Sequence, residues 1–166
     1  AVYSNIAVLY RSSYLTRPFE AELAHRGLPY RIFGGLRFYQ RKEVKDVLAY
    51  FRVLVNPKDD IAFDRIVNVP SRKIGAASLE IIKKEATEAK LGEYEYIKNV
   101  PSDSEIPNRI LVALGALVSK MEKTKERLQE RSEAYSAILK DFITDIGYYA
   151  YAAENEGYYT DLIALY

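Results

Sequence analysis

Residues 34–55 read GGLRFYQRKEVKDVLAYFRVLV, and the fold turns on them. After Gly34-Gly35 the apolar residues Val44, Val47, Leu48, Phe51, Leu54 and Val55 recur at steps of three and four. That spacing gathers side chains on one face of an α-helix. Arg41, Lys42, Lys45 and Arg52 fall largely on the other faces, so the segment reads as an amphipathic helix. Before the double glycine the pattern is strand-like. The expected fold class is therefore mainly α, a helical region over 36–166 preceded by a short β-α-β unit over 1–35.

On the N-terminal side, Ile6 to Tyr10 (IAVLY) is a short apolar run suited to a buried strand. It feeds a helix marked by Leu15, Phe19 and Leu23, which Gly27 ends as a left-handed cap residue can. Tyr30 to Phe33 is a second strand, and the whole has the size of a parallel crossover. On the C-terminal side, Asn56 to Asp60 is a turn with an Asp placed to cap the next helix. That helix carries Ile61, Ile66 and Val67 and stops before Pro70. Ser71 to Gly75 leads tightly into another helix with Leu79, Ile82 and Ala86, giving a helix-hairpin-helix element near 60–88. Lys90 to Pro107 is polar and broken by Gly92, Pro101 and Pro107, a loop with at most a short helix. Ile110 to Leu128 and Ile138 to Ile146 mark two more amphipathic helices, the second ended by Gly147. The tail holds a tyrosine cluster (Tyr148, Tyr149, Tyr151, Tyr158, Tyr159) and the apolar run Leu162 to Tyr166. There is no internal repeat and no low-complexity stretch.

Composition narrows the functional classes. The 166 residues are 49% hydrophobic, enough for one core or one core with an annex. There is no cysteine and one histidine, His25, so neither a disulfide framework nor a metal cluster is expected. No apolar run approaches the roughly 20 residues of a membrane span, and no basic-then-apolar leader opens the chain; a soluble cytoplasmic protein is the expectation. The chain starts at Ala1, and its only methionine is Met121, as expected of a piece of a longer protein. Net charge is +1, but residues 1–75 hold 13 Lys/Arg against 7 Asp/Glu and residues 76–166 hold 11 against 16. A basic half suits an anionic partner such as nucleic acid, or is plain surface charge.

No catalytic centre emerges. Gly34-Gly35 lacks the Lys and Ser/Thr of a phosphate-cradling loop, Asp59-Asp60 sits in a turn where capping is the natural role, and a lone His25 near a helix end argues against a Ser-His-Asp arrangement. Binding chemistry is better represented. In the 70–75 hairpin the amides of Ile74, Gly75, Ala76 and Ala77 start a helix and lack intrahelical partners, a setting that suits phosphate. Arg72 and Lys73 add positive charge there. The alternative is an ordinary helix connection with two solvated cations. Arg11 and Arg37 each follow a predicted strand, at the edge where open α/β sheets bind ligands, or are surface arginines. Phe38-Tyr39 could stack bases or staple the following helix, and the tail tyrosines either pack in a core or stack bases.

Ile6-Ala7-Val8-Leu9-Tyr10-Arg11, Pro29-Tyr30-Arg31-Ile32, Gly34-Gly35-Leu36-Arg37-Phe38-Tyr39, Arg41-Lys42-Glu43-Val44-Lys45-Asp46, Asn56-Pro57, Asp59-Asp60, Arg65-Ile66-Val67-Asn68-Val69-Pro70 and Ile74-Gly75 together closely resemble the middle of UvrD/PcrA/Rep-like superfamily 1 DNA helicases. The resemblance is dense over residues 5–85 and thins afterwards to helical character and Ile146-Gly147-Tyr148. It implies that the β-α-β unit belongs to the second motor subdomain and the helical part to the accessory subdomain inserted in it. It also implies a parent protein that uses ATP and Mg to move 3′ to 5′ on single-stranded DNA, in repair or replication. The ATP-binding and later motor motifs lie outside this chain, so no cofactor is expected in the fragment. By position Arg11 and Arg37 resemble single-strand contacts, and Ser13 stands where the family usually has Asn. Arg72, Lys73, Ile74, Gly75 and Ala76 fall on the duplex-binding Gly-Ile-Gly turn, with Lys73 in place of the first glycine. A lysine there is expected to resist a positive φ, with its ammonium meeting a phosphate in compensation. Expected partners are DNA at a single-strand to duplex junction, the remaining helicase subdomains, no membrane, and a homodimer through an exposed edge or tail. The competing reading is a protein-interaction or autoinhibitory module of the same helicase.

Overall fold

The computed structural model describes residues 3, 6–11, 15–32, 40–131 and 133–154. Among them the regular structure is helical: α1 (Thr16–His25), α2 (Lys42–Val55), α3 (Asp60–Ile66), α4 (Ala76–Glu88), α5 (Glu93–Lys98), α6 (Asn108–Glu130), α7 (Tyr135–Asp145) and α8 (Tyr148–Ala153). The core runs from Val47 in α2 to Ala152 in α8, and α1 adds nothing to it.

Helix α2 is the hub. It buries Val44, Val47, Ala49, Tyr50, Val53 and Leu54, together with the acidic Glu43 and Asp46. The expected apolar face is therefore rotated toward Tyr50 and Val53, and Val55 is left 85% exposed. A helix flanked by neighbours on several sides buries more than a one-face pattern indicates. Asp46 is matched: it accepts from the Tyr148 hydroxyl at 3.0 Å and pairs with Arg65 at 2.7 Å. The Tyr50 ring meets Phe142 edge-on with centroids 5.7 Å apart and Tyr148 at 6.5 Å. That is the geometry favoured by aromatic quadrupoles.

The turn at Asn56 to Asp60 behaves as read. The Asp59 carboxylate accepts from the Ala62 amide at 3.0 Å, capping α3, while the Arg52 guanidinium holds it at 2.7 Å. Ala62, Phe63 and Ile66 face inward and Ile61 is 79% exposed, so Ile61 departs from the face assigned to it. Within the polar stretch 90–107 the short helix α5 buries Tyr94 and Tyr96, whose hydroxyls donate to Glu122 and Glu85 at 2.6 Å each. Gly147, at φ +78°, ends α7 and opens α8. Tyr148 is a core residue, whereas Tyr158, Tyr159 and the run 162–166 lie outside the described residues.

The expected β-α-β unit is seen only in its helix. α1 forms and closes on Gly27 at φ +63°, with the Leu28 amide returning to the Leu23 carbonyl at 2.9 Å. Ile6 to Tyr10 and Tyr30 to Ile32 are not strands, and Phe33 lies outside the described residues. A strand needs a neighbour to exchange ladder hydrogen bonds with, and two short segments are a marginal sheet. Leu9 is 95% exposed as a result. Among the described residues no helix is long and apolar enough to cross a membrane, and no three His, Cys, Asp or Glu side chains group to hold a metal.

Candidate nucleic-acid interface

The hairpin between α3 and α4 is built by three side chains that close their bonds over one another. α3 runs out at Ile66 and Val67 because Pro70 has no amide to continue it, and the chain turns through a cis Val69–Pro70 peptide bond. Asn68 then acts as a surrogate backbone. Its Oδ1 accepts from the amides of Arg72 (2.8 Å) and Ile74 (3.3 Å), and its Nδ2 donates to the Ile74 carbonyl (3.0 Å). Asn side chains readily stand in for backbone groups in turns.

Arg72 is placed differently from the expectation. Its side chain turns inward rather than out to solvent. Nη1 donates to the carbonyls of Ile66 (2.9 Å), Val67 (3.1 Å) and Pro70 (3.3 Å), and Nη2 to the Tyr50 hydroxyl (2.8 Å). The orphan carbonyls at the end of α3 thus gain a cationic cap. The Tyr50 hydroxyl in turn donates to the Val69 carbonyl. Burial pushes the Tyr50 phenol above its ordinary range, and the Arg72 charge offsets part of that rise.

Between these anchors Lys73 is exposed and adopts φ +57°, so the lysine does take the left-handed conformation that it was expected to resist. The Ile74 side chain is buried in the core, and the Ile74 amide, expected to be free, is taken by Asn68. Gly75 is the N-cap of α4 in extended backbone and Ala76 its first residue, both exposed. Among the described residues the amides of Gly75, Ala76 and Ala77 meet no acceptor, while those of Ser78 and Leu79 return to the Gly75 carbonyl at 3.1 and 3.2 Å. Three outward N–H groups with a helix dipole behind them form a patch of positive potential.

A further cation reaches the same place. Arg109, at the start of α6, is exposed and donates to the Lys73 carbonyl at 3.4 Å. It lies 36 positions along the chain from Lys73, so no local pattern could point to it. Asn68, two residues before a proline, did carry a turn signal. The structure therefore brings together Arg72, Lys73, Ile74, Gly75 and Ala76 with Asn68, Tyr50 and Arg109. Arg11 is exposed and makes no hydrogen bond or ion pair with the hairpin among the described residues. Ser13, Arg37, Phe38 and Tyr39 lie outside the described residues.

Comparison with known proteins bears on the same region. Residues 1–157 match the family model for the UvrD-like helicase C-terminal domain. The chain is 41% identical over 144 residues to the probable DNA helicase II homolog of Rickettsia conorii, covering 87% of this chain and 22% of that protein. It is 50% identical over 97 residues to the ATP-dependent DNA helicase PcrA of Bacillus subtilis, covering 58% of this chain and 13% of that protein. It is 37% identical over 108 residues to DNA helicase II of Escherichia coli, covering 65% and 15% respectively. The chain thus spans between 13% and 22% of the length of these relatives.

Proposed function

The chain belongs to the UvrD-like helicase C-terminal domain family, and from that premise we propose that it is the DNA-contacting accessory region of an ATP-dependent 3′ to 5′ DNA helicase. Residues 36–166 form the accessory subdomain. Residues 1–35 are the helical and strand-forming edge of a motor subdomain whose remaining strands come from elsewhere in the parent protein. ATP and Mg are handled by that motor, and DNA and the motor subdomains are the partners.

The observation that carries the reading is the hairpin's outward face: the Gly75, Ala76 and Ala77 amides, flanked by the exposed Lys73 and Arg109. Backbone amides and cations of this kind hold phosphates without reading bases, which suits an enzyme that must work on any sequence. Arg11, Ser13 and Arg37 are proposed as single-strand contacts on the motor side, and Ile74 anchors the turn from within the core.

Fluorescence anisotropy of the chain with a 3′-tailed duplex, a blunt duplex and a single strand, each at two salt concentrations, tests the proposal. Duplex-dependent binding that weakens with salt is the expected result, and Lys73→Ala should lower the slope of log affinity against log salt by about 1. Absence of duplex binding at low salt would sink it. A second reading, docking of a protein partner, draws on the exposed Val55 and Ile61 beside the α2–α3 turn; loss of such docking on Ile61→Asp with DNA binding intact would favour it.

A further inference from the structure

We infer that Arg72 and Tyr50 are positioning residues for the duplex-binding hairpin, and that Arg72 is not one of its phosphate ligands. The inference rests on the duplex-binding reading for its function, but its geometry is independent of it. Nη1 of Arg72 carries two hydrogens, and three carbonyls, those of Ile66, Val67 and Pro70, already compete for them. Nη2 is held at 2.8 Å by a tyrosine whose ring is wholly buried. Turning the guanidinium out to a phosphate would strip the end of α3 of its cap and leave the Tyr50 hydroxyl facing a vacated donor, both costly in a part-buried site.

What this bracing holds is the backbone of Lys73. A left-handed lysine persists only when its surroundings over-determine it. Here the residue before it is tied by the guanidinium and by the Asn68 bond to the Arg72 amide, and the residue after it by both Asn68 bonds to Ile74. The direction in which the Lys73 side chain leaves the backbone, and that of the Gly75, Ala76 and Ala77 amides after it, is therefore set from inside the helical core. Tyr50 cannot touch DNA, yet the hairpin's affinity for DNA depends on its hydroxyl.

The test uses the full 166-residue chain with Tyr50→Phe, Arg72→Gln and, as the direct-contact reference, Lys73→Ala. Duplex affinity is read by anisotropy over a salt series, and amide hydrogen exchange is read at Arg72 and Ile74. Tyr50→Phe and Arg72→Gln are expected to weaken duplex binding several-fold, on the order of a lost internal hydrogen bond, with salt slopes parallel to the parent chain. Lys73→Ala alone should lower the slope. Exchange at the Arg72 and Ile74 amides should quicken in both variants, whereas Ile143→Val, a conservative core change that removes none of the hairpin's hydrogen bonds, should leave those two amides in step with the rest. A slope lowered by about 1 in Arg72→Gln, with Tyr50→Phe binding like the parent, would make Arg72 a phosphate ligand and overturn the inference. Should the parent chain bind no duplex, the duplex reading fails and exchange decides: faster exchange at Arg72 and Ile74 upholds the positioning role, and unchanged exchange overturns it.

Discussion

Lys73 sets two effects against each other. Its φ of +57° costs an L-residue about 1–2 kcal/mol, and glycine at the same place is free of that cost. Glycine in turn loses about 0.4–1 kcal/mol through the greater freedom of the unfolded chain. Lys73→Gly is therefore expected to stabilise the chain by roughly 0.5 kcal/mol, read from the urea midpoint, while removing one exposed cation from the α3–α4 turn. The lysine was legible as a departure from a family pattern, but its tolerance was not, because that depends on bonds made by Asn68 and Arg72. Glu93 is a second residue-scale case. It is buried at the start of α5, its amide donates to Asp60 at 2.8 Å and its Oε2 has no hydrogen-bond partner. Burial first, and then the Asp64 carboxylate, raise its pKa from 4.5 to about 7, with Lys83 opposing and Asp60 adding to the rise. A carboxyl that holds its proton more tightly when folded favours the folded state at low pH, so its contribution falls as pH rises from 4.5 to about 7 and is flat above that. Glu93→Gln should remove this slope, and urea titrations at pH 5 and pH 8 would show a smaller stability difference than in the parent chain. An equal difference in both would sink the assignment.

At the scale of elements, the boundaries follow local chemistry. Asp59 caps α3, Gly147 ends α7, and the breakers at 90–107 leave room only for the six residues of α5. Each of these was readable because a cap or a terminator acts on its own turn. Gly147 gives a clean measurement: at φ +78° an added Cβ would meet nothing within 4 Å, so Gly147→Ala adds backbone strain without a clash. That strain of about 1–2 kcal/mol, less the roughly 0.4–1 kcal/mol by which alanine restricts the unfolded chain, leaves an expected net loss of about 0.5–1 kcal/mol in thermal or urea unfolding. A loss near zero would mean that α7 and α8 can rejoin without the left-handed turn. The faces of α2 and α3 were less legible. Tyr50 and Val53 were missed and Ile61 was misassigned, because one-face periodicity assumes a single packing direction and α2 is enclosed by several neighbours.

Over the whole molecule, α8 closes the core onto α2. Tyr148 is fully buried, sits 102 positions from its Asp46 acceptor and meets Tyr50 edge-on. Tyr148→Ala should cost about 3–5 kcal/mol, the range for emptying a large aromatic site. Against the 5–15 kcal/mol typical of a whole domain, that is enough to shift the urea midpoint sharply; a shift under about 1 kcal/mol would mean that α8 is not part of the cooperative unit. The sequence by itself determined the mainly helical class, the caps and turns, the place of the turn between α3 and α4 and the family, since all of these are written in short-range spacing or in contiguous motifs. Only the tertiary structure decided which way Arg72 points, that Lys73 stands in the left-handed region, that Arg109 joins the hairpin and that Tyr50 anchors it. The reason is physical: a side chain's direction is settled by the acceptors that burial leaves unsatisfied, and those acceptors come from parts of the chain that only folding brings near.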